Sequence, residues 1–134
     1  MVNISSMKMG EAVASHPNIS VKTSWFGLKK DFVYTPTGNK LKGYEMSIKS
    51  DGCRIANNLI TAKTGHDLDT MIEKKERLID NPNGNERMDI VLSADRQFVA
   101  LQLFRYENYL FVEVGEPKFF EGEDAMKVTK ILDV

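Results

Sequence analysis

The chain is poor in the residues that small proteins use for cross-linking. A single cysteine, Cys53, excludes an intramolecular disulfide and fits a reducing compartment. One Cys with two distant histidines, His16 and His66, does not make a zinc ligand set, so no metal is expected. No apolar run approaches the ~18 residues that a membrane helix needs, and no membrane partner is expected. Met1 to Gly10 lacks a basic region followed by an apolar stretch, the mark of a secretory signal. The expected location is therefore cytoplasmic, in a cell or in a virus-infected host cell.

Catalytic signatures are missing too. Pro36, Thr37, Gly38, Asn39 and Lys40 form a turn rather than a phosphate loop, because the glycine spacing and following helix are absent. Nucleophilic catalysis needs a nucleophile beside a base. Cys53 and the two histidines have no flanking signature of that kind, and Cys53 reads as a structural thiol. His66, Asp67 and Asp69 read as cap and dipole partners of a helix start rather than as metal ligands. The expectation is a protein without catalytic residues or cofactor.

What is present describes an ordinary globular protein. With 134 residues, 42% apolar and 28% charged, residues 1–134 read as one domain that folds without staples. Its net charge of −1 hides an asymmetry. Residues 1–63 hold nine Lys and Arg against four acids, and residues 64–134 hold nine against fifteen. The two parts neutralise each other on folding or leave one basic face.

The strongest structural signal runs from Met88 to Val114, as strands Met88–Leu92, Phe98–Tyr106 and Tyr109–Val114. Glu107 and Asn108 have the spacing of a tight hairpin turn. That register sets Tyr106 opposite Tyr109, Phe104 opposite Phe111 and Gln102 opposite Glu113. One face then carries Val99, Leu101, Leu103, Leu110, Val112 and Val114, interrupted by Arg105, and is expected to face the core. The other carries Phe98, Phe104, Tyr106, Tyr109 and Phe111. Either another part of the chain covers these rings or they form a partner surface, since aromatics supply large contact area.

Elsewhere, Ser5 and Ser6 cap a short helix that Pro17 stops. Ile19–Ser24, Asp31–Thr35 and Leu41–Lys49 read as strands, and Cys53–Ala62 as irregular or a short helix. Asp67–Asp80 reads as the clearest helix, with Leu68, Met71, Ile72, Lys75, Leu78 and Ile79 along one stripe. Gly115 and Pro117 break the sheet, and Glu123–Leu132 reads as a helix in preference to an edge strand. The result is an α+β fold: an antiparallel sheet of about six strands, as two three-stranded meanders, with two or three helices. No repeat spacing relates the two halves. This order is similar, as element order alone, to bacterial secretion chaperones and some single-strand nucleic-acid-binding folds, and order does not decide function.

Two binding surfaces follow. The first is a protein partner surface, including self-association as a homodimer, made by Phe98, Phe104, Tyr106, Tyr109 and Phe111. The alternative is a site for single-stranded nucleic acid, a nucleotide or another phosphorylated ligand. There Trp25, Phe32 and Tyr34 would stack on bases while Lys29, Lys30, Lys40 and Lys42 neutralise phosphates.

Overall fold

The computed structural model describes residues 7–23, 25–27 and 30–134, with only the backbone of Met7 and Trp25. Ser5, Ser6 and Lys29 lie outside the described residues. Helix α1 (Met7–Ser15) precedes strands β1 (Ile19–Thr23), β2 (Lys30–Tyr34) and β3 (Asn39–Ile48). Helices α2 (Cys53–Thr61) and α3 (Gly65–Glu73) follow, then β4 (Glu86–Ser93), β5 (Phe98–Glu107), β6 (Leu110–Glu121) and α4 (Gly122–Leu132). The six strands make one sheet in sequence order, every pair antiparallel, so the fold is α+β as expected.

Alternation along the strands feeds two cores, one on each face of the sheet. Met88, Ile90 and Leu92 of β4 and Val99, Leu101 and Leu103 of β5 point to one face. There they meet Ile55 and Leu59 of α2, Leu68 and Met71 of α3, and Val128, Ile131 and Leu132 of α4. The opposite face collects Tyr34, Leu41, Val91, Phe98 and Ala100 beneath Met9 and Val13 of α1. The sheet is thus sandwiched, with three helices on one side and one on the other.

Two local expectations are corrected, and one left open between irregular structure and a short helix is decided. The helix expected over Asp67–Asp80 stops at Glu73. Lys75 turns it off with φ 57°, its N–H bonding to Ile72 O at 2.9 Å while Glu76 N–H bonds to Met71 O at 3.1 Å. This is a Schellman ending with lysine where glycine usually sits, so the sequence carries no stop signal there. Leu78 is still buried, but from the loop, and Ile79 is exposed. The segment Cys53–Thr61 is fully helical because Ile55, Ala56 and Leu59 are buried on one side and Asn57 and Asn58 fall on the wet side. These two helices in place of one bring the described α-helices to four.

The second correction concerns the sheet's end. Gly115 and Pro117 do not break it; β6 continues to Glu121 across a bulge, its register jumping between Leu101↔Lys118 and Leu103↔Val114. The bulge leaves Gln102 facing three residues, Gly115, Glu116 and Pro117, two more than an unbroken ladder would set there. Gln102 fills the gap: its Nε2 donates to the carbonyls of Leu103, Val114 and Gly115 at 3.1–3.2 Å. The segment reads as a breaker in the sequence because the side chain that repairs it comes from the neighbouring strand.

Candidate interaction surface

The hairpin joining β5 to β6 turns through Asn108 and Tyr109, with φ 49° and 67°. Two successive positive φ values are the signature of a two-residue I′ turn, whose twist matches that of the strands. Asn adopts this region more readily than Glu, which displaces the turn one residue from Glu107 and Asn108. The register therefore becomes Tyr106↔Phe111, Phe104↔Glu113 and Glu107↔Leu110. That slip moves each partner by two residues, so the assignment of side chains to faces is unchanged.

Exposure, however, divides each face. Phe98 is fully buried and Phe104 is 4% exposed. Phe98 lies under α1, edge-on to His16 at 5.2 Å and near Tyr34 and Phe119 at 5.4 and 6.0 Å. Phe104 is capped by the Arg87 guanidinium, 4.2 Å above its ring and 5.1 Å from that of Phe111. Arg87 Nε also lies 3.1 Å from Asp89 Oδ1, off the hydrogen-bond direction. By contrast Tyr106 and Phe111, an edge-to-face pair at 5.2 Å, are partly open, and Tyr109 is 90% exposed. Of the five rings expected to form one partner surface, the structure keeps three together at the tip and places two under cover.

The supposed core face shows the same division. Val99, Leu101 and Leu103 are buried, yet Leu110 is 68% and Val112 45% exposed. The cause is a mismatch of lengths. A ten-residue strand runs about 33 Å, whereas helices of nine to eleven residues run about 14–16 Å. The lateral neighbour runs out as well, since β4 begins at Glu86 opposite Arg105. From that pair outward the hairpin protrudes as a two-stranded arm, held at its base by the Tyr106 N–H donating to Asn85 O at 3.1 Å, with apolar side chains on both faces: Tyr106, Tyr109, Leu110, Phe111 and Val112.

The lysine and aromatic residues of the alternative site are distributed over both faces of β2 and β3. Phe32 and Tyr34 turn toward the α1 side, where Phe32 packs on the core and Tyr34 is buried. The Tyr34 hydroxyl donates to Glu121 Oε1 at 3.0 Å. Burial, reinforced by that carboxylate, pushes its pKa up to about 12. Lys30 is exposed on that same face, by alternation with Phe32 and Tyr34. Lys40 pairs with Val33 and Lys42 with Leu92, which puts both lysines on the opposite face. Lys40 Nζ lies 3.5 Å from Asp31 Oδ2. Only the backbone of Trp25 is described, in a short 3-10 turn.

A groove of about 480 Å³ separates α2 from α3, lined by Asn58, Lys63, His66, Thr70 and Lys74 among others. Its two carboxylates are already engaged. Asp67 accepts from the backbone N–H groups of Lys63 and Thr64 at 2.8 and 3.2 Å, which hold its pKa below the usual carboxylate range. Glu76 pairs with Arg54. Asp69 pairs with Lys127 at 3.0 Å, so the acids beside His66 serve helix capping and helix-to-helix contact. Among the described residues no cluster of three or more metal-ligating side chains occurs. No helix of the described residues is long and apolar enough to cross a membrane.

Cys53 opens α2 with its thiol toward the Lys49 carbonyl, while His16 lies between α1 and β1 and His66 in α3. Burial first, then the neighbouring Glu86, pushes the thiol pKa up to about 11, against a smaller opposing effect of Arg105. Stability from the protonated thiol is full below the unfolded value of 9.0 and is lost as pH rises toward about 11. Since the thiolate is the reactive species, Cys53 in the folded protein should alkylate at least about tenfold more slowly near pH 8 than in the urea-unfolded chain. Equal rates, measured with iodoacetamide, would contradict the raised pKa.

Comparisons with protein-family models, with curated proteins and with solved structures find no match. The surface therefore has to be read from its own chemistry.

Proposed function

We propose that this protein is a non-catalytic interaction module that binds another protein, or a second copy of itself, through the protruding β5–β6 hairpin. One observation carries the reading: from the Glu86–Arg105 pair outward the arm exposes large apolar side chains on both faces. A tight two-residue turn fixes the arm's shape, and the Tyr106–Phe111 ring pair stiffens it, so little conformational entropy would be lost on docking. Tyrosine and phenylalanine at the centre of a contact are effective anchors, and apolar surface left in water favours being covered.

The test is to remove the anchors without touching the fold. Tyr109→Ser with Leu110→Asp alters two exposed side chains and should shift stability by less than about 1 kcal/mol. Wild type purified under native conditions from its source cells is expected to retain a protein partner that the double variant loses. Equal retention by both, with equal thermal melts, would remove the hairpin as the binding surface.

A further inference from the structure

We infer that the occupant of the hairpin's helix-side face is a second copy of this chain, docked across a two-fold axis that lies between the two arms, parallel to the line from Tyr106 to Phe111. This rests on the reading above and names the partner. Arg105, Glu107, Leu110 and Val112 share one face of the arm, the face that continues Leu103 and Val114, because Arg105 pairs with Val112 and Glu107 with Leu110. All four are exposed.

Their spacing is self-complementary. Tyr106 lies midway between Arg105 and Glu107, Phe111 lies midway between Leu110 and Val112, and Tyr106 and Phe111 are directly opposite each other. A two-fold axis parallel to that line, lying between two face-to-face arms, reverses strand direction. It sets Arg105 against Glu107 of the second copy and Leu110 against Val112 of the second copy, and each contact recurs by symmetry. No like charges meet. Within its own sheet Arg105 already stands opposite Glu86, while Glu107 stands opposite Leu110. The second copy's guanidinium is thus the cation that Glu107 receives.

Shape agrees with charge. Packed layers lie about 10 Å apart, the depth of the helical layer that ends before the arm does. In the two-fold arrangement each arm occupies the place where the other copy's helical layer stops, and the two bodies extend in opposite directions. The sheet's other edge offers no such contact: β1 is five residues long and carries Lys22. At the bulge β6 is guarded as well, since Lys8 of α1 reaches Gly115 O at 3.2 Å and Glu116 at 2.9 Å. With four side chains per copy, the contact falls below the ~1,200 Å² of a standard interface, so the dimer should be weak and concentration-dependent.

Sedimentation equilibrium of the full chain over a hundredfold concentration range tests this. The wild-type mass is expected to climb from 15.2 kDa toward twice that value. Leu110→Asp should hold it at the monomer. Arg105→Glu and Glu107→Arg should each weaken association about tenfold, since either reversal sets like charges together at two symmetric places. The combined reversal should restore it to within about threefold of wild type, because the two signs are merely exchanged. Arg105→Gln removes the cation without adding an acid beside Glu86, and should also weaken association if the monomer's stability is untouched. A wild type that stays monomeric, or a combined reversal as weak as the single ones, overturns the inference. If partner retention still depends on Tyr109 and Leu110 in that event, the protein-binding reading stands and only the second copy is excluded; if it does not, both fall.

Discussion

Phe98→Ala should cost about 3–5 kcal/mol of unfolding free energy, a large share of the ~5–15 kcal/mol that a domain of this size has. The ring is fully buried where α1, β2 and β6 converge. Around it stand His16, Tyr34 and Phe119, with Met9 and Val13 of α1 in the same core. Little can collapse into the space. The surrounding groups are fixed by a polar cluster in which Glu121 Oε1 accepts from Tyr34 Oη at 3.0 Å and from Asn18 Nδ2 at 2.6 Å. His16 Nε2 lies 3.7 Å from the other Glu121 oxygen. Urea titration gives the cost, and hydrogen exchange should show α1 losing protection before the opposite helices. Tyr109→Ala, on the same strand face by sequence pattern, is the control and should stay within about 0.5 kcal/mol. Equal effects would mean that α1 does not cover Phe98 in solution.

The second large effect is expected at Gly84. A methyl group there would overlap the Ile48 carbonyl oxygen and lie 2.7 Å from its carbon and 2.8 Å from the Ile48 nitrogen. These are backbone atoms in the β3–β4 ladder, so no side chain can swing away to make room. The loop is pinned on both sides of the glycine: Asp80 bridges to Ile48, Asn81 N–H donates to Ser47 O at 3.1 Å, and Glu86 pairs with Ile48 as β4 begins. Gly84→Ala should therefore destabilise by about 2–3 kcal/mol, at the upper end of overpacking costs. Asn83→Ala, at an exposed neighbour, should be nearly neutral. A Gly84→Ala protein as stable as wild type would show that the loop does not press on β3.

Both predictions come from features that the sequence shows only in part. The burial of Val99, Leu101 and Leu103 followed from their alternation, and the antiparallel α+β fold followed from the order of apolar runs and turns. The division of the rings did not. Phe98 and Phe111 look alike in the sequence, both aromatic and on the same side of a strand. What separates them is that α1 ends its run over Phe98, a contact between elements far apart in the chain. Similarly, Leu110 and Val112 carry the same core pattern as Leu103, but they stand where β4 has begun to run out and no described helix covers them.

Local conformation was misread wherever a distant group supplied the missing part. Gln102 bridges the bulge that Gly115 and Pro117 announce as a break. Lys75 ends α3 in a conformation that glycine ordinarily marks, with Glu76 held by Arg54 of the preceding helix. The hairpin turn falls one residue later than Glu107 and Asn108 because Asn108 takes the first of the two positive φ values that the I′ geometry requires, which leaves the second to Tyr109.

The sequence by itself determined which side chains share a face, because the two-residue period of a strand is a property of the backbone and needs no partner. It also determined the fold class. Only the tertiary structure decided which of those side chains meet water, since burial depends on where the covering helices end and on what packs beside each strand. That is why the same alternation that builds the core also leaves, past the last helical turn, an apolar arm that none of the described elements covers.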